Sequence, residues 1–367
     1  MTRLSIIQPY VPQYRVPFFE GLRRELALDG VDLEVVSGQA TDAQKLRGDA
    51  ADAPWITGTR TREFRFGART LSLTYSRRLW SDSDAVIVPH QGTSLDAMSA
   101  LAFRRGKRVG VWGHIASYTS PLNPVDGAVE DWQLRRADHV FAYVPSGTEY
   151  ALERGVSPRE VTTVMNTIDT TSLEDALTST TAEEIDRFRR EKRIPDGPFL
   201  AYVGGLDSSK RVDLLADALD ILHSSGSRAH IVIAGRGEQE TLLKPALERG
   251  QVTLIGYAWT GRKAILLKGA TAIVNPGRVG LIAVDALASK RMLITTDWPW
   301  HAPEIEYLKR GESLTQSGSS AEEFAHALQT ALEEPPHTDP AVTWPEPPRL
   351  DAMIANYKDG VITMLNT

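Results

Sequence analysis

Four glycine-bearing turns in the back half of the chain could hold an anion. YVGGLDSSK places Gly204 and Gly205 after an apolar run and Lys210 in the first turn of the segment that follows. Glycine lets a backbone approach a ligand closely. A cation at a helix start opposes the helix dipole, and a bound anion such as a diphosphate resolves the conflict. A solvated surface lysine is the competing reading. IAGRGEQE supplies Gly235 and Gly237, and LIGY supplies Gly256 and Tyr257; a GxG pair alone often marks only a tight turn. AIVNPGRVGLIAVD ends a β-branched run at Asn275-Pro276-Gly277, repeats glycine at Gly280 and carries Asp285 into a helical stretch. Amides at such a helix start favour negative charge. An acidic residue placed there can hold a ribose hydroxyl pair, or simply cap the helix or face solvent.

The front half offers imidazoles. His114, in VGVWGHIASY, and His90, in VIVPHQGTS, each follow a strand-like run. Such a histidine can orient hydroxyls, or can be structural and bonded to backbone. His301, in DWPWHAPE, either touches a ligand or packs. Gln13, Tyr14 and Arg15 follow the first run, where Arg15 could meet phosphate or acceptor. Phe18 and Phe19 beyond them read as core. With Arg15, Arg23, Arg24, Val16 and Leu22 they also fit an amphipathic membrane-facing helix, although core packing explains such stripes more often. Asp82-Ser83-Asp84 resembles an acidic metal-binding pair but precedes a strand, so a turn is expected there. No His/Asp/Glu spacing suggests a metal site.

These residues sit on a regular alternation. Short β-branched runs, apolar at successive positions, alternate with helical patterns such as Leu214, Leu215, Ala218, Leu219 and Leu222. Runs apolar on both faces are strands of a covered parallel sheet. The fold class is α/β, with two Rossmann-like doubly wound parallel-sheet domains facing across a cleft. The polar TTSLEDALTSTTAEEIDRFRREKRIPDGP marks the boundary. The expected domains are 1–180, 181–345 and a last helix at 346–367 that packs back on the first domain, after the proline-dense EEPPHTDPAVTWPEPPRL. Ligands in such sheets bind outside the carboxyl ends of the strands.

Composition narrows the classes. With no cysteine, disulfides, thiolate catalysis and cysteine metal sites are excluded. A net charge of −6 argues against nucleic acid as partner. No apolar run is long enough to span a bilayer. MTRLSIIQPYVPQYR reads as strand and turn rather than signal peptide, so a cytoplasmic location is expected, with peripheral membrane contact left open.

Together, YVGGLDSSKRVDLLADAL, IAGRGEQETLL, VTLIGY, NPGRVGLIAVDALASKRMLITTD and APEIEYL resemble, in order and spacing, the carboxy-terminal domain of GT-B glycosyltransferases of retaining family 4. VMNTID looks like a family segment ahead of the interdomain linker, and the front half resembles the family more loosely. The resemblance implies a glycosyltransferase that takes a UDP-, GDP-, dTDP- or ADP-sugar and needs no cofactor or metal. Its acceptor is a sugar, a lipid-linked glycan or a small molecule. Lys210 matches the lysine that binds the donor diphosphate, and Asp285 the second of two glutamates that frame sugar and ribose. Gly277, Arg278, Val279, Gly280 and Leu281 would lie under diphosphate and sugar. Gly235, Gly256 and Tyr257 would line the base pocket, Gly237 would bind the donor, and His114 would stand by the transferred sugar. Two positions depart: Gly205 replaces an arginine and Gly277 the first glutamate. Arg211 and Arg278 are near enough to compensate. A GT-B epimerase and a non-catalytic sugar-nucleotide-binding scaffold are the alternatives.

Overall fold

The computed structural model describes residues 1–367 except 68, 120, 122 and 335–343, and the side chains of 43, 44 and 47. It divides into two units. One comprises Met1–Lys45, Asp49–Ile168 and Pro348–Thr367; the other comprises Asp169–Pro347 with Leu46–Gly48.

The first unit holds β1 (Thr2–Gln8), β2 (Val31–Ser37), β3 (Ile56–Gly58), β4 (Arg62–Phe66), β5 (Arg69–Leu73), β6 (Ala85–Pro89), β7 (Arg108–Gly113), β8 (His139–Ala142) and β9 (Val161–Thr163). Seven of these form a parallel sheet in the order β3-β2-β1-β6-β7-β8-β9, while β4 and β5 pair as an antiparallel hairpin. The second unit holds β10 (Leu200–Val203), β11 (Ile231–Ala234), β12 (Val252–Leu254), β13 (Ala272–Val274), β14 (Leu293–Thr296) and β15 (Leu314–Ser317). Its parallel order is β12-β11-β10-β13-β14-β15. In both sheets the winding reverses beside the first strand, which opens a crevice at the carboxyl ends there.

The double apolar pattern has a direct cause. Side chains along a strand alternate faces, and each sheet is covered on both. Ile6 and Val35 enter one core of the first unit, whereas Ile7 and Val36 enter the other. In the second unit Leu200 and Tyr202 point into one core and Ala201 into the opposite one.

One organisational expectation changes. The polar stretch read as a boundary forms two helices, Thr170–Ser179 and Ala182–Lys192. The second begins with a capping box, in which the Thr181 side chain accepts from the Glu184 amide and the Glu184 carboxylate accepts from the Thr181 amide. Both helices belong to the second unit, since Leu173 packs in one core with Phe188 and Phe199. The units therefore part between Ile168 and Asp169, ahead of residue 180. The last helix, Leu350–Asn366, is part of the first unit, where Tyr357 stacks on Phe141 at 4.5 Å. Residues 335–343 of the proline-dense segment lie outside the described residues.

Candidate active site

At the second unit's crevice, the turns after β10 and β13 interlock. Gly204 has φ +151, a conformation that side-chain-bearing residues rarely adopt. The turn after β11 lies directly against it. A Cβ on Gly235 would sit 1.8 Å from the Gly204 carbonyl oxygen, and one on Gly237 would sit 2.2 Å from that of Leu206. Backbone bonds stitch the two turns: the Gly204 amide donates to Ala234, Leu206 to Arg236 and Gln239 to Leu206. Gly235 and Gly237 thus serve backbone–backbone approach.

The turn after β13 explains one departure from the family pattern. A Cβ on Gly277 would lie 2.5 Å from the Lys210 carbonyl carbon and the Ser209 oxygen, so no side chain fits where family 4 has its first glutamate. The Arg278 amide donates to Ser209 at 2.7 Å, and the Lys210 ammonium donates to the Arg278 carbonyl. Asn275 Nδ2 donates to the same carbonyl at 3.1 Å. Lys210 is therefore held against the turn 276–281. Arg211 is positioned otherwise than expected: its guanidinium donates to both oxygens of Asp213 and lies 5.0 Å from the Trp298 ring centre. Compensation at the phosphates by Arg211 is not favoured by this arrangement.

His301 sets the shape of the same turn. Its Nδ1 accepts from the Val279 amide at 3.1 Å, so Nε2 carries the proton and donates to the Thr296 carbonyl at 3.1 Å. Burial, with Lys210 adding a smaller effect, lowers its pKa. A neutral imidazole is what the Val279 amide requires. The Thr295 and Thr296 hydroxyls donate to the carbonyls of Asn275 and Pro276. The helix Ile282–Ser289 then starts after Leu281 with no side-chain cap. Glu304, which the sequence reading did not assign to the site, is 3% exposed, and its Oε2 comes within 3.9 Å of a Cβ built on Gly280. Glu304 and Glu306 alternating with apolar residues in APEIEYL were the available signal.

Asp285, in the first turn of that helix, is paired with Lys263 at 2.6 Å, both side chains largely buried. Its carboxylate is thus fixed by an ammonium from the helix Thr260–Gly269. At the end of β12, Gly256 has φ +69, and the Arg236 guanidinium lies 3.4 Å from where its Cβ would be. Tyr257 meets Trp259 edge-on at 4.8 Å, and Trp259 is 60% exposed. An exposed ring and a guanidinium beside a glycine form a platform suited to a flat heterocycle. Sequence reasoning named Gly256 and Tyr257 and missed Arg236 and Trp259.

The first unit has its own cavity, of about 670 Å3, at the carboxyl ends of β1, β6 and β7. Gln8, His90, His114, Asp126, Glu130 and Tyr143 are among its lining residues. The His114 ring meets Tyr143 edge-on at 5.0 Å. His90 Nε2 bonds to the Glu130 carbonyl at 3.2 Å, and burial holds its pKa down to about 4. The Glu130 carboxylate accepts from the Gly92 amide at 3.0 Å, while burial raises its pKa. Asp126 pairs with Arg69.

Gln13, Tyr14 and Arg15 form a short 3-10 turn and are not among the residues lining that cavity. Arg15 is a correction: it is 4% exposed, donates to Asn166 Oδ1 at 2.6 Å and lies among the rings of Tyr14, Phe18, Trp112 and Tyr143. Its planar cation packs the core instead of meeting a ligand. Phe18, Phe19 and Leu22 are buried in the same core, so that stripe does not face a membrane. Asp84 accepts from the Arg3 amide at 2.8 Å just before β6, as a turn residue would. Among the described residues no group of three or more His, Asp or Glu is arranged to hold a metal ion.

Two family models match the chain. "Glycosyl transferases group 1" covers residues 197–334, and "Glycosyltransferase Family 4" covers residues 18–172. No curated protein matches it. Among solved structures, a glycosyltransferase from Rickettsia africae ESF-5 is 14% identical, with 100% of this chain and 99% of that one covered and a TM-score of 0.67. Anabaena Alr3699/HepE in complex with UDP-glucose is 13% identical over 100% and 98%, with a TM-score of 0.62. The Methanocaldococcus jannaschii UDP-GlcNAc 2-epimerase in complex with UDP-GlcNAc and UDP is 14% identical over 98% and 100%, also at 0.62. These likenesses establish the fold, and with the two family matches they identify the chain as a glycosyltransferase of the GT-B fold, similar to family 4.

Proposed function

We propose that the protein transfers a sugar from a UDP-sugar to a hydroxyl-bearing acceptor with retention of anomeric configuration. The observation that carries this reading is the interlocked pair of turns after β10 and β13. It holds the Lys210 ammonium against a glycine-rich backbone at an uncapped helix start. In the proposed reaction the anomeric C–O bond to the diphosphate breaks as the acceptor oxygen bonds to the same face, and the acceptor proton passes to the departing phosphate. Charge gathers on the leaving diphosphate, so its stabilisation dominates. Lys210 and the amides of Gly280 and Leu281 take that role, so activity needs no added metal and survives chelator. Asp285, oriented by Lys263, is assigned to the ribose, and Arg236, Tyr257 and Trp259 to the base. Glu304 is assigned to a donor-sugar hydroxyl, in the absence of a carboxylate at Gly277. In the first unit, His114 and His90 are assigned to sugar hydroxyls in the cavity they line. UDP is preferred because Anabaena HepE and the M. jannaschii epimerase were solved with it or its sugars.

Titration calorimetry with UDP, GDP, ADP and dTDP tests the donor. UDP binding, with UDP release from a UDP-sugar that depends on an acceptor, is the expected result. No binding of any nucleotide at millimolar concentration would leave a non-catalytic scaffold. One observation favours a second reading, an epimerase: the first unit's cavity brings carboxylates and imidazoles together, as proton transfer at carbon requires. Solvent deuterium appearing at C2 of UDP-GlcNAc with no acceptor present would select it over the transferase.

A further inference from the structure

The hairpin β4–β5 differs from both sites in composition, and only Arg69 and Thr70 of it line the first unit's cavity. Residues 60–78 carry six arginines (Arg60, Arg62, Arg65, Arg69, Arg77 and Arg78) against the single acid Glu63. That is a local charge of +5 in a chain whose net charge is −6. Arg69 is paired with Asp126, but the other five arginines are exposed. Every residue of β4 is exposed, Phe66 by 65% and Phe64 by 37%. Folding usually hides such rings, because burying a phenylalanine is worth about 1.5–3 kcal/mol.

The register sets what the hairpin presents. Arg62 faces Leu73, Phe64 faces Leu71 and Phe66 faces Arg69, so these six share one face. An aromatic and aliphatic band there is bounded by arginine at each end. Next to it, Arg62 lies over the exposed ring of Tyr75 at 5.8 Å, and Arg77 over the exposed ring of Phe103 at 5.8 Å.

We infer that this hairpin docks the protein on a bilayer surface rich in anionic lipid. Arginines meet lipid phosphates while Phe64 and Phe66 enter the boundary between headgroups and acyl chains. Nucleic acid is the weaker match, since Leu71 and Leu73 offer nothing to bases or phosphates. The chain outside residues 60–78 has a net charge of −11, which disfavours a general attraction to anionic surfaces. Among the described residues no helix is long and apolar enough to cross a membrane, and surface docking needs none.

Cosedimentation with vesicles of phosphatidylcholine alone, or with three parts in ten of phosphatidylglycerol, tests this. Binding is expected to the mixed vesicles only, and to fall steeply as salt screens the arginines. Each arginine near an anionic surface contributes about fivefold, so R62A/R77A lowers partitioning about 25-fold. F66S lowers it about tenfold. All three side chains are exposed, and circular dichroism of each variant should match the parent. Absence of binding to mixed vesicles, unchanged binding by both variants, or binding to single-stranded DNA in preference to vesicles would each overturn the inference.

Discussion

Gly277 is the position where the reasoning about the donor site can be tested most sharply. Its Cβ site lies 2.5 Å from the Ser209 oxygen and the Lys210 carbonyl carbon, and 2.8 Å from the Arg211 nitrogen. All three are backbone atoms, which cannot rotate aside as a flexible side chain would. In G277A the turn 208–211 must move, stretching the 2.7 Å bond from the Arg278 amide to Ser209 and carrying Lys210 with it. Overpacking of this kind costs about 1–3 kcal/mol. Losing the backbone bond adds about 1 kcal/mol. At about 3 kcal/mol in total, the second unit's Tm falls by roughly 6–12 °C. UDP affinity should drop as well, because the ammonium leaves its place. G280A is the control, since the nearest atom there is a methyl 3.6 Å away, and its stability should stay within about 0.5 kcal/mol. G277E, which restores the family residue, should behave like G277A or worse. Scanning calorimetry with and without UDP reads both effects. If G277A melted and bound like the parent, the interlocked turns would not be what positions Lys210, and the explanation for the missing glutamate would fall with them.

Removing the Lys210 charge in K210A should weaken UDP binding by roughly 1.5–3 kcal/mol in calorimetry, the size of a charged hydrogen bond; unchanged affinity would sink the phosphate assignment. K263M strands the buried Asp285 carboxylate and should destabilise the second unit by about 3 kcal/mol, measurable by urea unfolding. D285N/K263M should recover part of that loss. His139, buried beside Phe141, has its pKa held to about 4 by burial, against 6.5 unfolded. Its folded-state pKa is depressed, so the unfolded chain takes up protons first. The first unit's stability is full above about pH 6.5 and falls as pH drops towards 4, by a few kcal/mol. H139N should remove about half of that slope in unfolding curves taken across the window, because His90 in the same unit is depressed to the same extent, and an unaltered slope would contradict the assignment.

Much of the architecture was legible in the residues, because burial on both faces leaves an unbroken apolar run. LSII, AVIV and AIV announce strands covered by helices without reference to any partner. The polar boundary segment misled for a local reason. Thr181 and Glu184 form a capping box there, and high polarity hid two amphipathic helices whose apolar residues are few. Within the donor turns, the glycine positions were visible but their work was not. Gly235 and Gly277 are glycines because another stretch of backbone lies against them, and spacing cannot show what comes near from elsewhere. Likewise His301 was open to ligand contact or packing, and Arg15 to phosphate or acceptor, until their partners were placed.

Sequence by itself determined the α/β class and the strand-ending turns, since each follows from local pattern and residue type. Only the tertiary structure decided that Lys210 rests on the turn of Arg278, that Asp285 is tied to Lys263, and that Arg15 belongs to the core. The residues of these pairs lie 68 and 22 positions apart, and Arg15 and Asn166 lie 151 apart. The physical reason is that a side chain's charge and shape are written in the sequence, whereas what it neutralises or packs against is set by the chain's return to the same place.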